Sequence, residues 1–260
     1  MDNAVVYGWG TVGKATAKAF GIQHYFSKHD SNISLTDAAY KRYHFFCLPT
    51  PTINGLCYTD DIVALIKQLE EIPHGQHVYI IRSTVIPGTA KTIMSSLGIH
   101  SVISNPEFLT ESTAEEDAFY PDIVVIGGEQ KNYVDDVAGI YQAHIKTAKI
   151  FTTDTITAEM SKYAINTFYA TKLIFANQIF DICQKIGANY ETVKDAMYSR
   201  KWIGKNHLDI WHKGGRGAGS KCLRKDLDAF ENYSKSKLLE TVKKINDELL
   251  SKYPKKEKND

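Results

Sequence analysis

Cys222 combines a nucleophilic side chain with neighbours that favour its reactive form. The glycines of GGRGAGSKC precede it, and Lys221, Arg224 and Lys225 lie beside it. A glycine-rich loop exposes a side chain and presents backbone N–H groups, while cationic neighbours stabilise a thiolate, the nucleophilic form of cysteine. The cluster therefore predicts covalent chemistry at this sulfur. The alternative for a lone free cysteine is an inert position in a core.

A second candidate lies on a long apolar segment at 158–186, which the sequence predicts to be one helix capped by Thr157 and ended by Gly187. Lys162 and Asn166 are four residues apart and therefore share one face of this helix. An amine among apolar residues is costly unless it is paired or used, so the two side chains are candidates for stabilising negative charge. The alternative is a lysine whose ammonium group reaches out to water.

Polar residues after predicted strands form a third group. Glu107 and Glu111 are placed to act as acid or base, although two carboxylates near a helix start more often serve as caps. Thr84 is placed to hydrogen-bond a ligand or to cap a helix. Asp226 is a candidate for holding a water molecule or for pairing with Lys225.

The N-terminal segment carries a dinucleotide-binding pattern. An apolar strand at 4–7 runs into GWGTVG, a GxGxxG motif, and a helical run at 14–20 follows. This order lets a pyrophosphate approach the helix N-terminus, whereas the alternative is a turn that only packs helix on strand. Asp30 comes 17 residues after the last glycine, where an acid accepts the ribose hydroxyls of NAD; Lys28 and His29 leave NADP as an alternative. The predicted cofactor is NAD, bound by Gly8, Gly10, Thr11, Val12, Gly13 and Asp30.

Strands and helices alternate over the first part of the chain. Strand patterns lie at 24–27, 44–48, 78–81, 100–104, 122–126 and near 150, and helical patterns at 35–42, 60–69 and 133–143. This alternation predicts an α/β fold with a doubly wound parallel sheet of Rossmann type. Ligands bind such sheets at loops after strand ends, so Pro49, Thr50 and Thr84 are predicted cofactor contacts. Helical patterns at 190–198 and 238–250 predict an all-helical central domain built on the long helix.

Composition excludes several classes of function. The 260 residues carry a formal net charge of +1, which gives no argument for binding nucleic acid. No apolar run approaches the roughly 18 residues of a membrane span, and no histidine or cysteine spacing matches a metal site. The four cysteines lack disulfide-framework spacing, which predicts a cytoplasmic location, and Cys47 and Cys183 are predicted core residues. We therefore expect no metal, nucleic acid or membrane partner.

Six segments in order along the chain resemble the UDP-glucose/GDP-mannose dehydrogenase family. The resemblance runs from Val5 to about Leu250, and its motifs are GWGTVG, CLPTP, RSTVIPGT, NPEFLTESTAEEDAFYPDIVVIGG, AEMSKYAINTFYATKLIFANQI and GAGSKCLRKD. No single motif decides the resemblance, but six in register make it specific. It implies NAD-dependent oxidation of the C6 hydroxyl of a nucleotide sugar such as UDP-glucose to a carboxylate. It also implies a homodimer formed through helix 158–186.

The resemblance also implies a set of catalytic residues. They match Cys222, Lys162, Asn166, Asp226, Thr84, Glu107 and Glu111 in this chain. In the implied mechanism the Cys222 thiolate adds to an aldehyde, the thiohemiacetal is oxidised to a thioester, and water hydrolyses the thioester. Lys162 and Asn166 would face the developing oxyanion. Glu111, or a water held by Asp226, would act as the base.

The chain departs from the family pattern near its C-terminus. Family members carry a third domain that binds the nucleotide part of the substrate, and this chain stops about where that domain would begin. Arg224 stands where the family has a proline, and Arg216 and Lys221 are unusual in the glycine-rich loop.

These observations predict three parts of the chain and leave two rival functions. We expect an NAD-binding Rossmann domain at 1–155, a helical central and dimerisation domain at 156–253, and a disordered tail at 254–260. One rival is a single-oxidation dehydrogenase of the β-hydroxyacid type, which shares the Lys-x-x-x-Asn pair but needs no thiol. The other is a truncated, non-catalytic remnant that binds NAD or a full-length partner.

Overall fold

Alternating strands and helices build the chain in the computed structural model, which describes residues 1–73, 75–145, 147–212 and 215–254. The strands are β1 (Ala4–Tyr7), β2 (His24–Phe26), β3 (Tyr43–Phe46), β4 (Thr52–Ile53), β5 (Leu56–Cys57), β6 (Val78–Ile81), β7 (Val102–Ser104), β8 (Ile123–Gly127) and β9 (Lys149–Thr153). The helices are α1 (Thr11–Phe20), α2 (Leu35–Ala39), α3 (Asp60–Glu70), α4 (Thr89–Leu97), α5 (Ala114–Phe119), α6 (Lys131–His144), α7 (Thr155–Ile186), α8 (Tyr190–Tyr198), α9 (Lys221–Ser234) and α10 (Lys237–Lys252). Apart from Pro254, the predicted tail lies outside the described residues.

The main sheet has the strand order β2-β1-β3-β6-β7-β8-β9. Its order reverses between β1 and β3, so the loops after these strands lie at the switch point where such sheets bind ligands. The predicted α/β fold is confirmed, but the sheet is not wholly parallel, because β7 and β8 are antiparallel. The connection between these two strands carries only the six-residue α5, which packs on α1 through alanines, and no full crossover helix spans it.

The chain divides into two compact units. The first contains 1–51 and 57–162, and the second contains 52–56 and the chain from 163 onward. In the first unit apolar side chains cover both faces of the sheet, with Phe20 and Val137 on one face and Ile62 and Ile93 on the other. Burying each of these side chains contributes about 1.5–3 kcal/mol, so the sheet provides a rigid base for the loops at its edge. The predicted boundary at 155/156 stays a prediction.

The long helix begins earlier than predicted. It starts at Thr155, and Asp154 caps it, because the Thr157 N–H donates to Asp154 Oδ1 at 2.9 Å and the Thr157 hydroxyl donates to Oδ2 at 2.7 Å. The predicted cap at Thr157 is therefore wrong. The backbone bond from Thr157 lowers the pKa of Asp154, as expected for a carboxylate at a helix start. Gly187 has a φ of +74° directly after the helix, in agreement with its predicted role as the terminator.

Two elements of the second unit have no counterpart in the predictions. Helix α9 starts inside the segment read as a glycine-rich loop, where the Ser220 hydroxyl accepts the Leu223 N–H at 3.3 Å. The hairpin β4–β5 packs on α9, since the Thr52 hydroxyl donates to the Lys225 carbonyl at 2.9 Å. Its two-residue Asn-Gly turn has positive φ at both positions, which suits a tight hairpin. The two-residue strands of the hairpin are too short to show an apolar period, whereas α9 has one, with Leu223, Leu227 and Phe230 at helical spacing, which the interpretation of its start as a loop overlooked.

Candidate functional site

The glycine motif forms an open helix start after β1. Gly8 has a φ of +94°, and a Cβ there would lie 2.5 Å from the Cys47 carbonyl oxygen. Gly13 has no room either, because its Cβ would lie 1.9 Å from the Gly8 carbonyl oxygen. Gly10, in contrast, faces open space, with nothing within 4 Å of an added Cβ. Gly8 and Gly13 are therefore required by the fold, and Gly10 leaves room for a ligand.

The start of α1 offers backbone donors to that open space. The first intrahelical bond runs from the Lys14 N–H to the Gly10 carbonyl, so the amides of Thr11, Val12 and Gly13 precede it. Gly10, at the N-cap, has no side chain to satisfy them. Free amides and the positive end of the helix dipole suit a pyrophosphate, so these residues fit a dinucleotide cofactor.

Two further loops at the switch point are tied to each other. Thr50, after β3, is buried, and its hydroxyl donates to the Thr84 carbonyl after β6 at 2.7 Å. Pro49 is exposed and Thr84 is half-buried. The bond brings two of the predicted cofactor loops together at the same sheet edge as the glycine motif.

Asp30 lies in a turn after β2. Its backbone N–H donates to the Ser27 hydroxyl at 3.1 Å, and its side chain is exposed. The Tyr25 hydroxyl donates to Asp30 Oδ2 at 3.0 Å. This leaves the carboxylate at the edge of β2, which is where an acid binds the adenosine ribose in folds of this type.

Lys162 is buried and paired. Its ammonium group donates to the Glu107 carbonyl oxygen at 2.7 Å and lies 3.2 Å from Glu107 Oε1. The two side chains are 6% and 12% exposed, so the alternative of a lysine extended into water is wrong. Glu107 Oε2 also accepts the Leu109 N–H at 2.6 Å, which fixes the carboxylate from its other side. Glu111, in contrast, is exposed.

Glu159, one turn before Lys162, anchors this part of α7, and sequence reasoning missed it. Its carboxylate accepts the N–H groups of Gly88 at 2.6 Å and Ala90 at 3.0 Å, and the Ser104 hydroxyl at 2.9 Å. Glu159 is 2% exposed, and this burial raises its pKa. The sequence signal for Glu159 was a charged residue within an apolar helix, three residues before Lys162, which is also a charged residue in that apolar segment.

Asn166 and Asp226 meet in the second unit. The Asn166 side-chain N–H donates to Asp226 Oδ2 at 2.6 Å, and the Lys225 ammonium lies 2.5 Å from Oδ1. Asp226 is fully buried, and each of its two carboxylate oxygens has one of these donors. Cys222 lies one turn earlier on α9, in the first turn of the helix, and is exposed. The positive end of a helix stabilises a negatively charged sulfur.

The predicted catalytic residues therefore form two groups. Within the first unit Lys162 pairs with Glu107, and within the second Asn166 pairs with Asp226. Lys162 and Asn166 are one turn apart on α7, which is a single continuous helix. Cys47 and Cys183 are buried, as predicted. Among the described residues no group of three or more histidine, cysteine or acidic side chains is arranged to hold a metal ion.

Comparison with family models covers both parts of the chain. Residues 15–145 match the NAD binding domain of the UDP-glucose/GDP-mannose dehydrogenase family, and residues 156–248 match the central domain of that family. The chain belongs to this family. Its cofactor is NAD, and the first match begins directly after the glycine motif, whose geometry fits that cofactor independently.

Individual relatives agree with this assignment. The chain is 40% identical over 157 residues to a UDP-glucose 6-dehydrogenase of Rickettsia conorii, covering 59% of this chain and 35% of the relative. A UDP-glucose dehydrogenase structure from Pyrobaculum islandicum superposes with a TM-score of 0.83 at 25% identity, over 94% of this chain and 68% of that one. A 3-hydroxyisobutyrate dehydrogenase from Mycobacterium tuberculosis shares the fold with a TM-score of 0.74 at 12% identity, over 97% of this chain and 95% of that one. The match with the Rickettsia protein therefore covers about a third of the length of that relative.

Proposed function

We propose that the chain catalyses the NAD-dependent oxidation of the C6 hydroxyl of a nucleotide sugar, UDP-glucose-like, to a carboxylate through a thioester on Cys222. The observation that carries the proposal is the arrangement on α9. An exposed cysteine occupies the first turn, and the buried carboxylate of Asp226, one turn later, is held by Asn166. A nucleophile beside a fixed carboxylate suits covalent catalysis. The similarity to named UDP-glucose 6-dehydrogenases supports the substrate class.

Each residue has a role in this proposal. NAD, when bound, accepts one hydride in each of two oxidations. After the first oxidation the Cys222 thiolate adds to the aldehyde carbon, and the resulting oxyanion takes up a proton to give a thiohemiacetal. The second oxidation removes the hydride from that carbon and the hydroxyl proton, which leaves a thioester. Lys162 and Asn166 stabilise the oxyanion with hydrogen bonds that are already oriented by Glu107 and Asp226.

The last step is hydrolysis. A water molecule loses one proton to the base as its oxygen adds to the thioester carbon, the carbon–sulfur bond breaks with the Cys222 thiolate as the leaving group, and the acid product loses the second proton to become the carboxylate. Glu111, which is exposed, or a water molecule held by Asp226 supplies the base. Thr84 lies in a loop held by Thr50 and is proposed to contact both cofactor and substrate.

Counting NADH tests the proposal. UDP-glucose, excess NAD and the purified chain should yield two NADH and one carboxylate per substrate. Cys222→Ser should retain NAD binding but form no acid, whereas Cys183→Ser, at a buried core cysteine, serves as the matched control and should still form acid. Acid production by Cys222→Ser at the native rate would remove the thioester mechanism.

A single-oxidation dehydrogenase is the second candidate. It is favoured by the fold shared with the 3-hydroxyisobutyrate dehydrogenase, which this chain matches over 95% of that protein's length. The second candidate predicts one NADH per hydroxyacid substrate and full activity in Cys222→Ser. NAD binding without turnover on any sugar nucleotide or hydroxyacid would instead support the non-catalytic alternative.

The proposed partner is a second copy of the chain, bound through α7. Phe168, Phe175 and Ile182 are seven residues apart and more than half exposed, and Ile186 is 70% exposed. Apolar residues at this spacing form one stripe along a helix, as in helix pairs. Phe175→Asp should convert a dimer to a monomer in sedimentation, whereas Tyr120→Asp, at an exposed aromatic outside α7, should not.

Location and membrane association remain separate questions. Among the described residues no helix is both long enough and apolar enough to cross a membrane. The cytoplasmic location stays a prediction from the cysteine pattern.

A further inference from the structure

Tyr25 links the two cofactor-binding features of the first unit. Its ring stacks on Trp9 with centroids 3.8 Å apart and planes inclined by 9°, and Trp9 lies between the first two glycines of the motif. Its hydroxyl donates to Asp30 Oδ2 at 3.0 Å. One side chain on β2 therefore contacts both the pyrophosphate loop and the acid predicted to bind ribose.

Asp30 needs such a contact because of its position. It lies four residues beyond Phe26, the last residue of β2, in an exposed turn that is closed by Ser27. The Ser27 bonds fix the backbone of Asp30 but leave its carboxylate free to rotate. Within the described residues the Tyr25 hydroxyl is the side chain that holds the carboxylate.

We infer that Tyr25 is a positioning residue that sets the preference of this chain for NAD over NADP. Its hydrogen bond occupies Oδ2 of Asp30, which leaves Oδ1 as the acceptor for a ribose hydroxyl of NAD. A carboxylate held at this place repels the 2′-phosphate of NADP. When the hydrogen bond is lost, the carboxylate is free to turn away, which leaves the exposed Lys28 as a cation in the same turn.

The protonation state of the Tyr25 hydroxyl is consistent with this role. The bond to Asp30 raises the pKa of Tyr25 above its ordinary value of 10.0, so the hydroxyl keeps its proton and stays a donor throughout the physiological range. The planar stack on Trp9 limits the rotation of the tyrosine ring. The stack on Trp9 in the glycine loop therefore fixes the position of the Tyr25 hydroxyl. The hydrogen bond from this hydroxyl in turn fixes the Asp30 carboxylate.

Tyr25→Phe tests the inference, because phenylalanine keeps the ring on Trp9 and removes only the hydroxyl. Binding is measured by calorimetry and by quenching of intrinsic tryptophan fluorescence, with NAD and NADP in parallel. We expect NAD affinity to fall about threefold to tenfold, the range of one ordinary hydrogen bond, because the lost bond is exposed and acts on NAD only through Asp30, with NADP affinity unchanged or improved. Tyr43→Phe is the matched control, because it removes the Tyr43 bond to Asp136 (2.7 Å) at the opposite end of β3 from the cofactor loop. It should leave both affinities unchanged.

A double variant separates positioning from direct contact. If Tyr25 acts through Asp30, then Tyr25→Phe has no further effect in an Asp30→Ala background. An equal loss of NAD affinity in both backgrounds would overturn the inference, as would an equal loss for NAD and NADP, or a native chain without preference for NAD. The inference depends on NAD as the cofactor and not on the chemistry at Cys222. Loss of turnover with intact NAD binding would contradict the proposed function and leave this inference standing.

Discussion

Replacing Lys162 with methionine removes the ammonium group that donates hydrogen bonds to Glu107 and keeps a side chain of similar length. The pair is buried, with side chains 6% and 12% exposed, and it joins residues 55 positions apart in the chain. Two donor–acceptor distances define it, 2.7 Å to the Glu107 carbonyl oxygen and 3.2 Å to Oε1. The substitution leaves a buried carboxylate without its main partner.

The cost follows from these distances. Two unit charges 3.2 Å apart attract each other by about 5 kcal/mol at an effective dielectric constant of 20, and desolvation of both groups offsets much of this. Removing one partner of a buried pair typically costs about 3–5 kcal/mol. Glu107 keeps its bond from the Leu109 N–H, so we expect the lower end, about 3 kcal/mol, for Lys162→Met. Glu107→Gln should cost about 2 kcal/mol, and the double variant about 3 kcal/mol, which gives a coupling of about 2 kcal/mol.

Urea unfolding of the four proteins at pH 7 measures this coupling. Lys131 and Asp135 provide the control cycle, since they form an ion pair at 2.5 Å in the same unit with side chains 85% and 57% exposed. Exposed helix pairs of this kind contribute only about 0.3–0.5 kcal/mol. A coupling between Lys162 and Glu107 as small as that of the control pair would refute the reasoning, because the pair would then not be desolvated. In enzymatic assays Lys162→Met should lower kcat about a hundredfold or more if its ammonium group stabilises the oxyanion.

Three further predictions concern the glycine motif and two buried charges. Gly13→Ala should destabilise the chain by about 3 kcal/mol in urea unfolding, because the Cβ would lie 1.9 Å from a backbone oxygen, whereas Gly10→Ala should keep native stability and lose NAD affinity in calorimetry. Burial raises the pKa of Glu159, so its contribution to stability is fully present below its ordinary value of 4.5 and is lost as the pH rises through the higher folded pKa. As the pH rises above 4.5 the native chain should therefore lose stability relative to Glu159→Gln, by about 1.4 kcal/mol for each unit by which folding raises this pKa, and a pH-independent difference in unfolding free energy would contradict the prediction. Arg216 is 2% exposed, donates to Asn177 Oδ1 at 2.8 Å and pairs at 2.8 Å with Asp181, whose side chain is 45% exposed; Arg216→Met should cost about 3 kcal/mol in thermal unfolding, and a loss below 1 kcal/mol would contradict a guanidinium that is buried and held by its polar partners.

Local pattern was sufficient for most elements of the fold. The predicted bounds of β6 and α8 agree with the structure to the residue, because an apolar strand and an amphipathic helix are readable from spacing alone. The GxGxxG motif likewise determined the turn after β1, since two of its glycines are the only residue type that fits there. Elements without apolar periodicity, such as the β4–β5 hairpin, were not found.

The start of α7 shows where local pattern fails. Threonine and aspartate are both good caps, so the sequence did not distinguish Thr157 from Asp154. Tertiary contacts decide: Thr155 is buried, and its hydroxyl donates to Glu129 at 2.8 Å. This bond places Thr155 inside the helix and leaves Asp154 as its cap.

By itself the sequence determined which residues are able to do chemistry and which elements carry them. The tertiary structure decided their partners: Glu107 for Lys162, Asp226 for Asn166, and Tyr25 for Asp30. The physical reason is that helix and strand periods relate only residues a few positions apart. Lys162 and Glu107 are 55 positions apart in the chain, and Asn166 and Asp226 are 60 apart. Only the folding of each unit brings the members of each pair within hydrogen-bond distance.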